Sequence, residues 1–115
     1  MKPFRIGLYG CGSRTRQILS SALARGTAEV TLCYDIDSAK AEALAQAYHA
    51  KVCSSLNELL YNETTDMYLI SLFPAAHPTA LLAAVKSGKP IYIEKPVAVI
   101  SKDIARLTPL IGKYY

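Results

Sequence analysis

The sequence predicts an α/β fold in which about five parallel strands form a doubly wound sheet with flanking helices. Short apolar runs alternate along the chain with segments of helical periodicity. The run "DMYLISLF" (66–73) is almost continuously hydrophobic, which is typical of a strand covered by helices on both faces. Parallel strands need long right-handed crossover connections, and the interposed helices supply them.

Each element follows from its own residues. The predicted strands occupy residues 3–9, 29–35, 51–53, 66–73 and 91–94. The first helix is predicted over 14–25 and stopped by Gly26, and Asp37 or Ser38 caps the second. Ser55 with Glu58 forms a capping-box signature for a short third helix.

The last two helices carry proline signals. His77-Pro78 opens the fourth helix with proline at its first position, and "SGKP" (87–90) closes it with glycine. Ser101 can cap a final helix, which Pro109 is expected to end or kink.

Length and composition predict a single compact domain over residues 1–115. Hydrophobic residues make up 51% of the chain and charged residues 19%, which excludes a disordered composition. No apolar run is long enough to cross a bilayer, and the first residues lack the features of a secretion signal. We therefore expect a cytoplasmic location and no membrane partner.

Charge and cysteine content exclude other classes. The net charge is +4, but the 13 lysines and arginines are scattered, so no nucleic-acid partner is expected. The 3 cysteines lack CxxC spacing, and we expect free thiols with neither a disulfide framework nor a metal site.

In a doubly wound sheet, ligands bind beyond the carboxyl ends of the strands at the switch point, here predicted between the first and fourth strands. Gly10 permits a tight turn there, and Gly12 lets the main chain approach a pyrophosphate at the positive end of a helix. Asp35 ends the second strand, 20 residues after Thr15, where a carboxylate can accept hydrogen bonds from an adenosine ribose. The predicted cofactor site around the glycines comprises Gly10, Cys11, Gly12, Ser13, Arg14 and Thr15.

Several of these residues admit a second interpretation. The glycines can be plain turn residues, and Asp35 can be a solvated acid or a helix cap. Thr15 replaces the usual third glycine, and it either holds the helix farther from the sheet or uses its hydroxyl near the phosphates. Cys11 lies where a thiol pKa can fall, although a small loop residue without catalytic duty explains it better. Arg14 can approach a phosphate, whereas Arg16 is better explained as solvated.

The segments "RIGLYGCGSRTR", "LCYDID", "SLNELL", "LISLFPAAH" and "AVKSGKPIYIEKPVA" resemble, in order and spacing, the N-terminal Rossmann domain of the Gfo/Idh/MocA oxidoreductases. The most specific piece is "GKPIYIEKP" (88–96). The resemblance implies that Lys95 lies beside the nicotinamide and substrate as a catalytic residue, with Glu94 as a cofactor-proximal contact. It also implies that Pro96 fixes the turn, with a cis Lys95-Pro96 bond common in the family.

The resemblance extends to the loop after the fourth strand. "SLFPAAH" (71–77) corresponds to the family's loop along the cofactor, so Leu72, Phe73 and Pro74 are expected to line the ribose or nicotinamide side. His77 matches a frequent family histidine, and either a structural or a functional role is open. His49 is expected to be a surface residue.

The resemblance implies the cofactor domain of an NAD(P)-dependent oxidoreductase acting on a sugar or polyol by hydride transfer. The family's second domain, which supplies the substrate pocket, is not contained in these 115 residues. The alternative is a free-standing, non-catalytic dinucleotide-binding or regulatory module. Asp35 without a following arginine favours NAD, with NADP possible. A fifth strand at the sheet edge would permit a homo-oligomer.

Overall fold

A computed structural model of the protein describes residues 3–24, 26–95 and 101–114. Five parallel strands form one sheet in the order β3-β2-β1-β4-β5. The strands are β1 (Phe4–Tyr9), β2 (Ala28–Tyr34), β3 (Lys51–Val52), β4 (Met67–Ile70) and β5 (Ile91–Ile93). The order reverses between β1 and β4, which confirms the doubly wound parallel sheet and its predicted switch point.

In the part of the chain that the structure describes, five α-helices connect or follow the strands. They are α1 (Ser13–Leu23), α2 (Ser38–Tyr48), α3 (Leu56–Leu60), α4 (His77–Ala84) and α5 (Ser101–Tyr114). Two short 3₁₀ turns, Pro74–Ala76 and Val85–Ser87, flank α4. Gly88 follows the second turn in the left-handed conformation, as the glycine in "SGKP" predicts.

The hydrophobic core has a layer on each face of the sheet. One layer joins Leu19 of α1 and Leu44 of α2 to Leu69 of the central strand β4. The other layer joins α3 and α4 to Tyr68 and Ile70, which precede and follow Leu69 and point the opposite way. The alternation explains the continuous hydrophobicity of this strand, because both of its faces are covered.

Strand β4 is shorter than predicted. The sequence predicts a strand over 66–73, but the strand ends at Ile70. The Ser71 N–H still donates to Tyr9 O at 3.1 Å, whereas the Leu72 N–H turns away to a histidine side chain. The apolar residues after Ile70 therefore form a loop at the end of the sheet.

Helix capping follows the sequence with one correction. Asp37, one of the two proposed caps, accepts from the Ala39 N–H and begins α2. Ser55 accepts from the Glu58 N–H as predicted, but the Glu58 carboxylate accepts from the N–H and hydroxyl of Ser54, so the reciprocal half of the capping box is displaced by one residue.

Pro109 does not end α5, which continues to Tyr114, so that part of the prediction is wrong. Leu107 of α5 packs with Leu81 and Val85, and this burial holds the helix against α4 despite the proline.

The amino-terminal end of the sheet carries an ion pair between Arg5 and Asp66. The Arg5 Nη2 lies 3.0 Å from Asp66 Oδ1, and the Arg5 main-chain N–H donates to Asp66 Oδ2 at 2.8 Å. These bonds lower the pKa of Asp66 to about 2. The pair lies at the end of the sheet opposite to the predicted ligand site.

Within the described ranges, no helix combines the length and the apolar character that crossing a membrane requires.

Candidate functional site

A crevice of about 550 Å³ opens at the carboxyl ends of the strands, where the sheet order reverses. Its walls come from the start of α1, the loop after β2 and the loop after β4. The lining residues are Gly12, Ser13, Arg14, Asp35, Ile36, Asp37, Lys40, Ser71, Leu72, Phe73, Pro74 and Ala76. Three segments that the sequence predicts as cofactor-binding thus meet in one place.

Gly10 lies where the loop after β1 passes close to the main chain of the loop after β4. Its φ is +100°, and a Cβ atom there would lie 2.0 Å from the Ser71 carbonyl oxygen. The positive φ and the nearby carbonyl oxygen together exclude any residue with a side chain at position 10 unless the backbone moves. Gly10 is therefore required by the close approach of the two loops that flank the switch point.

Gly12 differs from Gly10, because neither its backbone conformation nor its surroundings require a glycine. Its φ is −86°, a value open to other residues, and a Cβ atom built on it would meet nothing within 4 Å. No described side chain caps α1, whose first turn begins at Ser13. The first N–H groups of a helix have no partner within the helix, so this open space faces main-chain donors and the positive end of the helix dipole. An anion can approach the main chain there.

The Thr15 side chain points into the glycine loop. Its hydroxyl donates to Gly10 O at 3.0 Å, and the residue is only 1% exposed. The proposed use of the hydroxyl near the phosphates therefore does not fit this geometry. The threonine instead fixes the conformation of the glycine loop from within, which explains why the loop can form without a third glycine.

Asp35 ties the loop after β2 to the glycine loop. Its Oδ2 accepts from the Cys11 N–H and its Oδ1 accepts from the Asp37 N–H, each at 2.8 Å. A carboxylate has about four acceptor positions, so two main-chain bonds leave capacity for ribose hydroxyls. Asp35 is thus both a loop-fixing residue and an oriented acceptor, whereas the helix-capping alternative belongs to Asp37.

The Cys11 thiol is not activated. It is buried, and its hydrogen bond with the Cys33 thiol and its burial raise its pKa above the ordinary value. A buried thiol with a raised pKa is a poor nucleophile. This agrees with the interpretation of Cys11 as a small residue without catalytic duty.

His77 holds the loop after β4. The side chain is 1% exposed, and its Nε2 accepts from the Leu72 N–H at 3.0 Å. This bond turns the chain away from strand geometry, so Phe73 projects into solvent with 84% of its surface exposed. The structure therefore gives His77 a positioning role and leaves Leu72, Phe73 and Pro74 on the crevice wall.

Arg14 and Glu94 join the glycine loop to the end of β5. The Arg14 Nε lies 2.8 Å from Glu94 Oε2, while Glu94 Oε1 accepts from the Lys95 N–H at 3.0 Å. The bond from the Lys95 N–H and the bond from Arg14 lower the pKa of Glu94 below its ordinary value. Lys95 is exposed at the same end of the sheet, although it does not belong to the described lining of the crevice. Pro96 lies outside the described residues.

Ile36 and Lys40 were not among the residues that the sequence patterns predict for the site. Both line the crevice, and Ile36 is 96% exposed, which is unusual for a large apolar residue. The available signal was position, because both follow the carboxyl end of β2 at the switch point.

Size alone does not single out this crevice. Two other depressions have volumes of about 560 Å³, one beside His49 at the end of α2 and one beside Asp66 at the opposite end of the sheet. The first lies beside α2 and β3, away from the switch point, and the second lies at the amino-terminal ends of the strands. The position at the switch point, rather than the volume, identifies the candidate site.

Comparison with known proteins matches this arrangement to one family. Residues 4–113 match the Gfo/Idh/MocA family model, described as an oxidoreductase family with an NAD-binding Rossmann fold. Inositol 2-dehydrogenase of Cereibacter sphaeroides (strain ATH 2.4.1) is 35% identical over 112 residues, covering 90% of this chain and 31% of the relative. An uncharacterized oxidoreductase of Streptococcus pneumoniae is 32% identical over 99 residues, covering 86% of this chain and 26% of the relative.

A solved structure gives the same result. The myo-inositol dehydrogenase of Lactobacillus casei, in complex with NAD(H) and myo-inositol, superposes with a TM-score of 0.87 at 28% identity. The match covers 96% of this chain and 34% of the solved chain. The present chain thus spans about a third or less of the length of the proteins it matches.

Proposed function

The chain belongs to the Gfo/Idh/MocA oxidoreductase family as an NAD-binding Rossmann domain, and from this premise we propose that its switch-point crevice holds NAD for hydride transfer to or from a sugar or polyol. The observation that carries the proposal is the open space at Gly12, at the uncapped start of α1. A diphosphate needs main-chain donors without an intervening side chain, and this position offers both.

The adenosine half is assigned to the β2 side of the crevice. Asp35 is oriented by two main-chain N–H groups and keeps acceptor capacity for ribose hydroxyls. Ile36, which is 96% exposed beside Asp35, presents apolar surface on the same side of the crevice, which suits a flat base. The Asp35 carboxylate would repel a 2′-phosphate, which supports NAD over NADP.

The nicotinamide half is assigned to the β4 and β5 side, where the loop from Leu72 to Pro74 and the Glu94-Lys95 pair lie. When bound, the nicotinamide supplies the hydride acceptor or donor. Lys95 is proposed as the catalytic residue, because an exposed ammonium at the end of β5 can donate a hydrogen bond to a hydroxyl or carbonyl oxygen and stabilise developing negative charge.

The sugar or polyol substrate is a proposal for the whole protein. Inositol dehydrogenases are among the relatives, and this chain spans only about a third of their length. NADP as a second cofactor, a cytoplasmic location and a homo-oligomer through the edge of β5 remain predictions.

Calorimetric titration of the chain with NADH and NADPH tests the proposal. We expect NADH to bind more tightly than NADPH, and Asp35→Ala to weaken NADH binding by at least about tenfold, or 1.4 kcal/mol. The same substitution should reduce the preference for NADH over NADPH, because it removes the carboxylate that repels the 2′-phosphate.

Glu42→Ala is the matched control, because it removes an exposed acid from α2 outside the crevice. Failure of wild type to bind either dinucleotide would overturn the proposal. If NADH binds, turnover of inositols by the same chain would favour an enzyme, whereas its absence is expected both of a cofactor domain without the substrate domain and of a non-catalytic module.

A further inference from the structure

The Arg14–Glu94 ion pair links two parts of the site that lie far apart in sequence. Arg14 belongs to the first turn of α1, and Glu94 follows β5, which is two strands away from β1 in the sheet. Neighbouring strands lie about 4.8 Å apart, so the pair bridges roughly 10 Å across the end of β4. It therefore crosses the side of the crevice opposite to Asp35.

The Glu94 carboxylate connects both partners. One oxygen accepts from the Arg14 Nε at 2.8 Å, and the other accepts from the Lys95 N–H at 3.0 Å. The Glu94 side chain is 13% exposed, whereas Arg14 is 57% exposed and also donates to Gln17. The carboxylate is thus a fixed acceptor that orients both the guanidinium and the first main-chain atoms of Lys95.

We propose that the Arg14–Glu94 pair is a positioning element for the nicotinamide half of the dinucleotide, joining the diphosphate-binding start of α1 to the segment that carries Lys95. The inference rests on the proposed function, which assigns the adenosine half to Asp35 and so directs the other half toward β4 and β5. In this arrangement the pair stays intact when the cofactor is bound, and it forms the wall behind the nicotinamide ribose. Folding gains little from it, because exposed ion pairs contribute little stability.

Ligand fragments separate this role from simple attraction to phosphate. ADP carries the adenosine and the diphosphate but no nicotinamide half, so it does not reach the wall that the pair forms. Calorimetry with NADH and with ADP should be performed on wild type, Arg14→Gln, Glu94→Gln and the double variant.

We expect each single substitution to weaken NADH binding three- to tenfold relative to wild type. The ADP affinity of each variant should differ by less than twofold from that of the Arg16→Gln control. The double variant should bind NADH no more weakly than the weaker single variant, because both substitutions break one interaction. Glu94→Gln is decisive, since removing a negative charge near a diphosphate would by itself strengthen binding. All variants should melt close to wild type.

Arg16→Gln is the matched control, since it removes an exposed positive charge from the same turn of α1. The inference is overturned if Arg14→Gln weakens NADH and ADP equally while Glu94→Gln strengthens both, because Arg14 is then a phosphate ligand. It is also overturned if wild type binds NADH and both single variants bind it equally well. If wild type binds neither NADH nor ADP, the proposed function itself fails.

Discussion

Replacing Gly10 and Gly12 by alanine separates the folding role of the glycine loop from its binding role. A Cβ atom at residue 10 would lie 2.0 Å from the Ser71 carbonyl oxygen, on a backbone with φ +100°. The left-handed conformation costs a residue with a side chain about 1–2 kcal/mol, and overpacking adds about 1–3 kcal/mol. Gly10→Ala should therefore destabilise the domain by roughly 2–5 kcal/mol, a large part of the about 5–15 kcal/mol typical of a domain.

Gly12→Ala should have the opposite profile. The added methyl meets nothing within 4 Å, and φ is −86°, so the cost should be limited to the preference of this helix N-cap for glycine over alanine, roughly 1 kcal/mol, and the melting temperature should fall by only about 5 °C. The same methyl occupies the space through which a diphosphate approaches the main chain. We expect the affinity for NADH to fall by at least about tenfold.

Thermal unfolding by circular dichroism and calorimetric titration with NADH measure the two effects. A loss of 2–5 kcal/mol corresponds to a fall in melting temperature of roughly 10–20 °C for a domain of this size. A Gly10→Ala variant as stable as wild type would show that the Ser71 contact imposes no constraint. A Gly12→Ala variant that binds NADH like wild type would place the diphosphate elsewhere.

Two further predictions concern the stability of the fold. Thr15→Val removes the hydroxyl that donates to the Gly10 carbonyl. Because the buried acceptor is left unpaired, the free energy of unfolding measured in urea should fall by about 1–3 kcal/mol. A stability equal to wild type would contradict the role assigned to the hydroxyl. Asp66 has a pKa of about 2, below its ordinary 3.8, so its bond to Arg5 stabilises the fold fully above about pH 4 and is lost as the pH falls through 2. Asp66→Asn should melt below wild type at neutral pH, with a difference that shrinks between about pH 4 and pH 2, and a difference independent of pH would contradict the assignment.

The sequence predicted the sheet and the position of the candidate crevice because both follow from local patterns. Apolar runs, glycines and caps specify strands and helix ends within a few residues, and crossover chirality then restricts the strand order. Gly10, Gly12 and Asp35 could be assigned because each follows a strand on one side of the switch point. Their positions needed no knowledge of side-chain packing.

The remaining features depend on contacts between distant segments. The apolar run 66–73 did not indicate that β4 ends at Ile70. A sequence pattern does not distinguish an apolar residue that lines a crevice from one that is buried in the core. The bond from Leu72 to His77 and the bond from Thr15 to Gly10 decide the loop shapes. The sequence offers no periodic signal for either bond.

Internal bonds hold the proposed adenosine side of the crevice more firmly than the proposed nicotinamide side. On the adenosine side, the Asp35 carboxylate ties the glycine loop to the loop after β2 through two main-chain donors. Because these loops are already ordered, ordering them on binding costs little free energy. Substitutions in them should therefore change the affinity for every adenine nucleotide. On the other side, a half-exposed arginine reaches Glu94, and an interaction of this kind weakens with salt. The contribution of this ion pair to NADH binding should therefore shrink as ionic strength rises, so the NADH affinities of wild type and Glu94→Gln should converge in high salt.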